Sequence, residues 1–134
     1  MSSAQVARSI AGVTVGYVVF VAGAWFAQEV VVGGVSYADR EAVLLAGLFT
    51  PPTAVLGGFL TAAIAQIRPL LHVIPMCLLV AVETTYLYAM GRVDGPLWFE
   101  AMAGGSLIVA AIIGALGWRW LSRRAEANPR AVRS

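Results

Sequence analysis

"AVLLAGLFTPPTAVLGGFLTAAIAQIRPLLHV", residues 42–73, decides the fold. Its first apolar run extends from Ala42 to Ile67. At about 1.5 Å per residue that run is longer than a hydrocarbon core of about 30 Å. "RPL" at 68–70 then opens a second apolar run, Leu70 to Met90, almost at once. Two spans joined so tightly form an antiparallel helical hairpin in a membrane. Inside the first of them, "FTPPT" at 49–53 must bend or break the helix, because Pro51 and Pro52 lack an N–H and clash with the preceding turn.

Two further runs flank the hairpin. Ile10 to Ala27, "IAGVTVGYVVFVAGAWFA", follows Arg8, and Leu97 to Leu121 follows the loop "GRVDGP" at 91–96. That loop ends the third helix on a glycine and opens the fourth with Asp94 or Gly95 as cap and Pro96 in the first turn. The competing reading of the first run is a cleaved signal peptide, since "AGA" at 22–24 resembles an A-x-A site after a short apolar core. Gly12 and Gly16 form a GxxxG suited to a retained helix, and retention is the expectation. The sequence thus predicts an all-α, four-helix transmembrane bundle over residues 1–122, with helices at about 10–27, 42–67, 70–90 and 97–121. Residues 123–134 read as a basic, flexible tail.

Composition agrees. Sixty percent of the 134 residues are hydrophobic and 12% are charged, with a mean hydropathy of +0.82, against roughly half apolar and a quarter charged in soluble domains. There is no room for a separate soluble domain. The net charge of +2 comes from arginines placed at helix ends, which is a topology signal and not a nucleic-acid patch. Seven of them (Arg8, Arg68, Arg119, Arg123, Arg124, Arg130, Arg133) fall on one side and two (Arg40, Arg92) on the other. By the positive-inside rule both termini are expected in the cytoplasm of a cell inner membrane. Trp25, Tyr86, Tyr88 and Trp98 then mark the outer interface, and Trp118 and Trp120 the inner one.

Little in the chain suggests enzyme chemistry. Cys77 is the only cysteine and His72 the only histidine, so neither an intrachain disulfide nor an ordinary zinc site can be assembled. "GGFLTA" at 57–62 is a helix-packing pattern and not a phosphate loop. No catalytic residue, metal or cofactor is expected.

The conspicuous residue is Glu83, a carboxylate in "MCLLVAVETTYLYAMG", residues 76–91. It lies seven residues, about 10 Å, from the outer end of its helix, and Pro51 lies about 13 Å below the same surface in the antiparallel neighbour. Two arrangements are open. A helix that continues through the prolines frees the carbonyls of Gly47 and Leu48, to which a protonated Glu83 could donate. A helix that breaks makes Thr50 an N-cap and aims a helix N-terminus at an ionised Glu83, as in transporters with discontinuous helices. On the second arrangement Glu83, Thr50 and Thr53 are candidate residues of a proton or ion site; otherwise Glu83 only glues helices together. His72 shares a helix face with Glu83 but lies about 16 Å away along the axis, too far to pair. Glu100, about a turn inside helix 4, reaches outer water or complements that helix's N-terminus.

Small residues recur at four-residue spacing: Gly12 and Gly16; Ala54, Gly58 and Ala62; Ser106, Ala110 and Gly114. Such stripes let membrane helices approach closely. They point to packing, against the chain's own helices, a second copy or another membrane subunit, as the main business of the molecule, with the lipid bilayer as the other partner.

Taken together, "IAGVTVGYVV", "AVLGGFLTAAIAQIRPLLHV", "GPLWFE" and "IIGALGWRWL" resemble a group of small bacterial four-helix membrane proteins of uncharacterised function. The resemblance covers most of the chain. It implies four retained spans and the orientation above, but no activity. Neither Glu83 nor the diproline belongs to the group's common pattern, so it assigns them no role.

Overall fold

The computed structural model describes residues 2–31, 33–34, 39–66, 68–91 and 97–127. They form four helices and no strand: α1 (Ser3–Trp25), continued by a π-helical segment (Phe26–Val31), α2 (Arg40–Ala65), α3 (Pro69–Ala89) and α4 (Leu97–Ala127). The architecture is the all-α four-helix bundle that the hydropathy pattern predicts. All four helices are long and apolar enough to cross a membrane, and residues such as Ile10, Leu44, Leu48, Leu78, Val82 and Ile113 are exposed on its outside.

The helix ends differ from the apolar runs because polar caps, not hydropathy, set them. Ser2 and Gln5 form a capping box, with Gln5 N donating to Ser2 Oγ at 3.3 Å and Ser2 N donating to Gln5 Oε1 at 2.8 Å. This satisfies two of the helix's orphan donors and starts α1 well before Ile10. Asp39 likewise accepts from Glu41 N at 2.9 Å and Ala42 N at 3.3 Å, which starts α2 at Arg40. At the other end of the chain α4 continues to Ala127, so residues 123–127 of the expected flexible tail are helical. The Asp94, Gly95 and Pro96 cap, Arg92, and residues 128–134 lie outside the described residues, as does the side chain of Glu100.

The α2–α3 connection is made without glycine. Gln66 and Arg68 adopt φ of +58° and +47°, a region that costs an L-residue about 1–2 kcal/mol. Pro69 then supplies the first residue of α3, where its missing N–H is no loss.

α2 is the centre of the bundle. Among the described residues α1 and α4 flank it without touching each other, and α3 packs against all three. The adjacent pair Gly57–Gly58 makes this possible, because consecutive helical residues point about 100° apart and so open two faces on one helix. On the first face α1 lies almost backbone to backbone: a Cβ on Gly57 would stand 2.7 Å from Gly16 O, and one on Gly12 2.9 Å from Thr61 O. On the second, a Cβ on Gly58 would run into the Ala111 carbonyl and one on Gly114 into the Val55 carbonyl. Ala54, Ala62 and Ala110 are buried in the core with Phe20, Ala111 and Ala115. Ser106 is exposed, its hydroxyl donating to Ala103 O at 2.7 Å, so the α4 stripe turns inward only from Ala110. α3 contributes Val73, Met76 and Val80 to the core, a stripe at helical spacing that leads directly to Glu83.

Candidate functional site

Position along α3 fixes where Glu83 points. It continues the 73, 76, 80 stripe and is therefore turned into the bundle, half-buried. Tyr17 stands beside Gly16 on α1, and while Gly12, Gly16 and Phe20 face α2, its ring reaches towards α3. The Tyr17 hydroxyl donates to Glu83 Oε2 at 2.7 Å.

A second polar pair joins the same two helices nearer their N-termini. His72 Nε2 lies 2.8 Å from Ser9 Oγ, and His72 Nδ1 lies 3.2 Å from Arg68 O. Ser9 Oγ also lies 2.8 Å from Gln5 O, so its proton serves either that carbonyl or the ring according to the His72 tautomer. His72 and Glu83 thus do not meet, as their spacing requires, but both bond to α1, eight residues apart at Ser9 and Tyr17. α1 and α3 run parallel, and the two pairs form two rungs between them.

Around the prolines the helix stays intact. α2 is continuous from Arg40 to Ala65 with Pro51 and Pro52 inside it, so the broken-helix arrangement, with Thr50 as N-cap, is not the one adopted. Thr50 is buried and its Oγ1 accepts from Gln28 Nε2 at 3.4 Å, while Thr53 Oγ1 donates to Thr50 O at 2.6 Å. Neither threonine bonds to Glu83. The π-helical segment after Trp25 carries Gln28, and so brings α1 back over α2 at the diproline level. Deeper in the core, Thr61 Oγ1 donates to Gly57 O at 2.9 Å and lies 3.5 Å from Met76 Sδ.

Tyr17, Ser9 and Gln28 are the participants that hydropathy reading passes over. Each carried a signal, since a hydroxyl or amide inside a membrane span needs a partner. Among the described residues, no buried side-chain nitrogen or oxygen lacks a hydrogen-bond partner, and no three His, Cys, Asp or Glu residues are grouped to hold a metal ion.

Magnitudes show what the Tyr17–Glu83 bond does. An ionised carboxylate at the centre of a membrane helix costs about 2.5–3.5 kcal/mol, whereas an interhelical hydrogen bond contributes about 0.6 kcal/mol, at most about 1.7. The bond alone does not offset the cost. The nine Leu, Ile and Val residues of α3 supply the rest, at about 0.3–0.6 kcal/mol each. α3 therefore inserts because it is apolar, and the bond sets how Glu83 is oriented once there.

These helices and their internally satisfied polar groups define a multi-pass membrane protein. No family model matches the chain, and neither a curated protein nor a solved structure is similar to it.

Proposed function

We propose that the protein is a non-enzymatic accessory or structural subunit of a bacterial inner membrane, with both termini cytoplasmic, that packs against a second copy or another membrane protein. The observation that supports this reading is the use made of its polar residues. Glu83, Thr50, Thr61 and His72 are each engaged within the chain, three of them between helices, and no group of these is left to line a solute path. The exposed face of α3, with Leu71, Ile74, Leu78, Val82 and Tyr86, is the side on which a partner helix would lie. Cysteine crosslinking in native membranes tests it, using Val82→Cys in a Cys77→Ser background. A crosslinked species of defined mass is expected. A chain that stays monomeric and uncrosslinked in membranes and in mild detergent overturns the reading.

The rival is a small proton- or ion-coupled transporter, and the Tyr17–Glu83 pair at membrane depth favours it. Proteoliposomes separate the two. The accessory reading expects proton and alkali-cation flux no greater than in empty vesicles. Flux that the wild type carries and Glu83→Gln abolishes would replace it with the transporter.

A further inference from the structure

At the end of the bundle where α2 stops, a cavity of about 390 Å³ lies between that helix and α4. It is lined by Gln66, Trp118, Arg119, Ser122, Arg123 and Glu126. Each residue is there for a structural reason. Gln66 is the C-cap of α2 and is held out of the helix by its positive φ. Positions 118, 119, 122, 123 and 126 follow the three- and four-residue spacing of one helix face. Trp118 is fixed by an edge-to-face contact with Phe59, ring centroids 5.5 Å apart, which anchors the floor of the cavity to α2.

We infer that this cavity is a phosphate-recognition site at the membrane surface, in which Arg119 and Arg123 bind the phosphate group of an anionic ligand with Gln66 beside them. Two observations carry this beyond a general excess of arginine. First, neither guanidinium has an ion-pair or hydrogen-bond partner among the described residues, although both line the same cavity. Arg124, by contrast, is stacked on the Trp120 ring at 3.6 Å and is already engaged. Second, Gln66 at the end of α2 stands across from the Trp118–Glu126 face of α4, so the two guanidiniums border a half-open recess that Arg124 does not line. Two guanidiniums one helical turn apart match the several oxygens of a phosphate. Basic recesses between membrane helices at this depth suit lipid headgroups.

One group opposes the ligand. Glu126 stands about a turn beyond Arg123, towards solvent, and its carboxylate repels an anion. The Ser122 hydroxyl donates to Arg119 O at 3.1 Å and must rotate to serve the ligand.

The test is native mass spectrometry of the full chain from nanodiscs of dioleoyl phosphatidylcholine with a minor fraction of dioleoyl phosphatidylglycerol, alongside titration with inorganic phosphate in uncharged detergent. The wild type is expected to retain one phosphatidylglycerol in preference to phosphatidylcholine. Arg119→Gln with Arg123→Gln should weaken that retention about 30-fold, at about fivefold per arginine. Arg124→Gln should change it less than twofold, and Glu126→Gln should strengthen it. Saturable binding of inorganic phosphate with the same variant pattern supports the site and identifies a soluble phosphate as its source. Equal retention of both lipids with no phosphate binding overturns the inference. So does an equal loss from Arg124→Gln, which would reduce the effect to diffuse surface charge. Circular dichroism and gel filtration establish that each variant folds.

Discussion

At the scale of single residues the molecule is governed by what fits between helices. Gly16 faces Thr61 and Gly57 O so closely that any side chain displaces α1 from α2. Gly47, in the same central helix, has nothing within 4 Å of its would-be Cβ. Gly16→Ala should therefore destabilise the bundle by about 1–3 kcal/mol, the usual cost of overpacking, while Gly47→Ala should leave it unchanged or slightly more stable. Thermal unfolding in detergent measures both, and equal effects would mean that α1 does not seat on α2 at Gly16. The Tyr17–Glu83 bond is open to a double-mutant cycle. Tyr17→Phe and Glu83→Leu, which removes the acceptor altogether, should couple by about 0.6–1.7 kcal/mol, and additivity would show that the two side chains are not bonded. The stripe of small residues was legible in the sequence because it needs only spacing. The bond was not, because periodicity says which face a residue occupies but not which neighbour meets it.

At the scale of the element, α2 departs most from local expectation. Proline in a helix interior ordinarily costs about 3 kcal/mol or more, and a break before Pro51, with Thr50 as N-cap, was one of the arrangements the sequence left open. The helix instead runs through. Membrane spans tolerate proline because neighbouring helices and hydroxyl side chains satisfy groups the ring disturbs. Here the carbonyls that lose an N–H partner are those of Gly47 and Leu48; the side-chain bonds sit beside them, where Thr53 donates to Thr50 O and Gln28, delivered by the π-helical end of α1, donates to Thr50 Oγ1 and ties the proline turn to α1. If the prolines merely interrupt the ladder, Pro51→Ala and Pro52→Ala should keep helix content constant by far-UV circular dichroism and should raise thermal stability. A fall in stability would mean that the proline rings shape the α1–α2 contact. The same contrast between local and polar signals explains the boundaries. Hydropathy located all four helices, but α1 and α2 start where Ser2 and Asp39 cap them. A hydrophobic run does not register a cap, and the S-x-x-Q at the chain start becomes meaningful only once a helix is known to follow it.

At the scale of the whole molecule, four helices that all cross would put the start of α1 and the end of α4 on one side of the membrane, and the arginines bear on which side that is. Arg8, Arg68, Arg119, Arg123 and Arg124 lie at the end shared by the start of α1 and the α2–α3 turn, and Arg40 lies at the opposite end. Cytoplasmic segments beside the spans carry an excess of arginine, and this distribution is what supports the orientation proposed above. Ala4, Met90 and Ala125 are exposed positions for reading it directly. With Cys77→Ser as background, Ala4→Cys and Ala125→Cys should resist a membrane-impermeant maleimide in cells whose outer barrier is opened and react in inverted inner-membrane vesicles. Met90→Cys should show the opposite pattern. Labelling of Ala4→Cys and Ala125→Cys from outside would reverse the bundle, and the Arg119–Arg123 cavity would then face the outer leaflet, where its ligand would have to be an exported phosphate or an outer-leaflet lipid. Labelling of Ala4→Cys and Ala125→Cys from different sides would remove one crossing altogether and with it the α1–α3 rungs at Ser9 and Tyr17, which require those two helices to run in parallel.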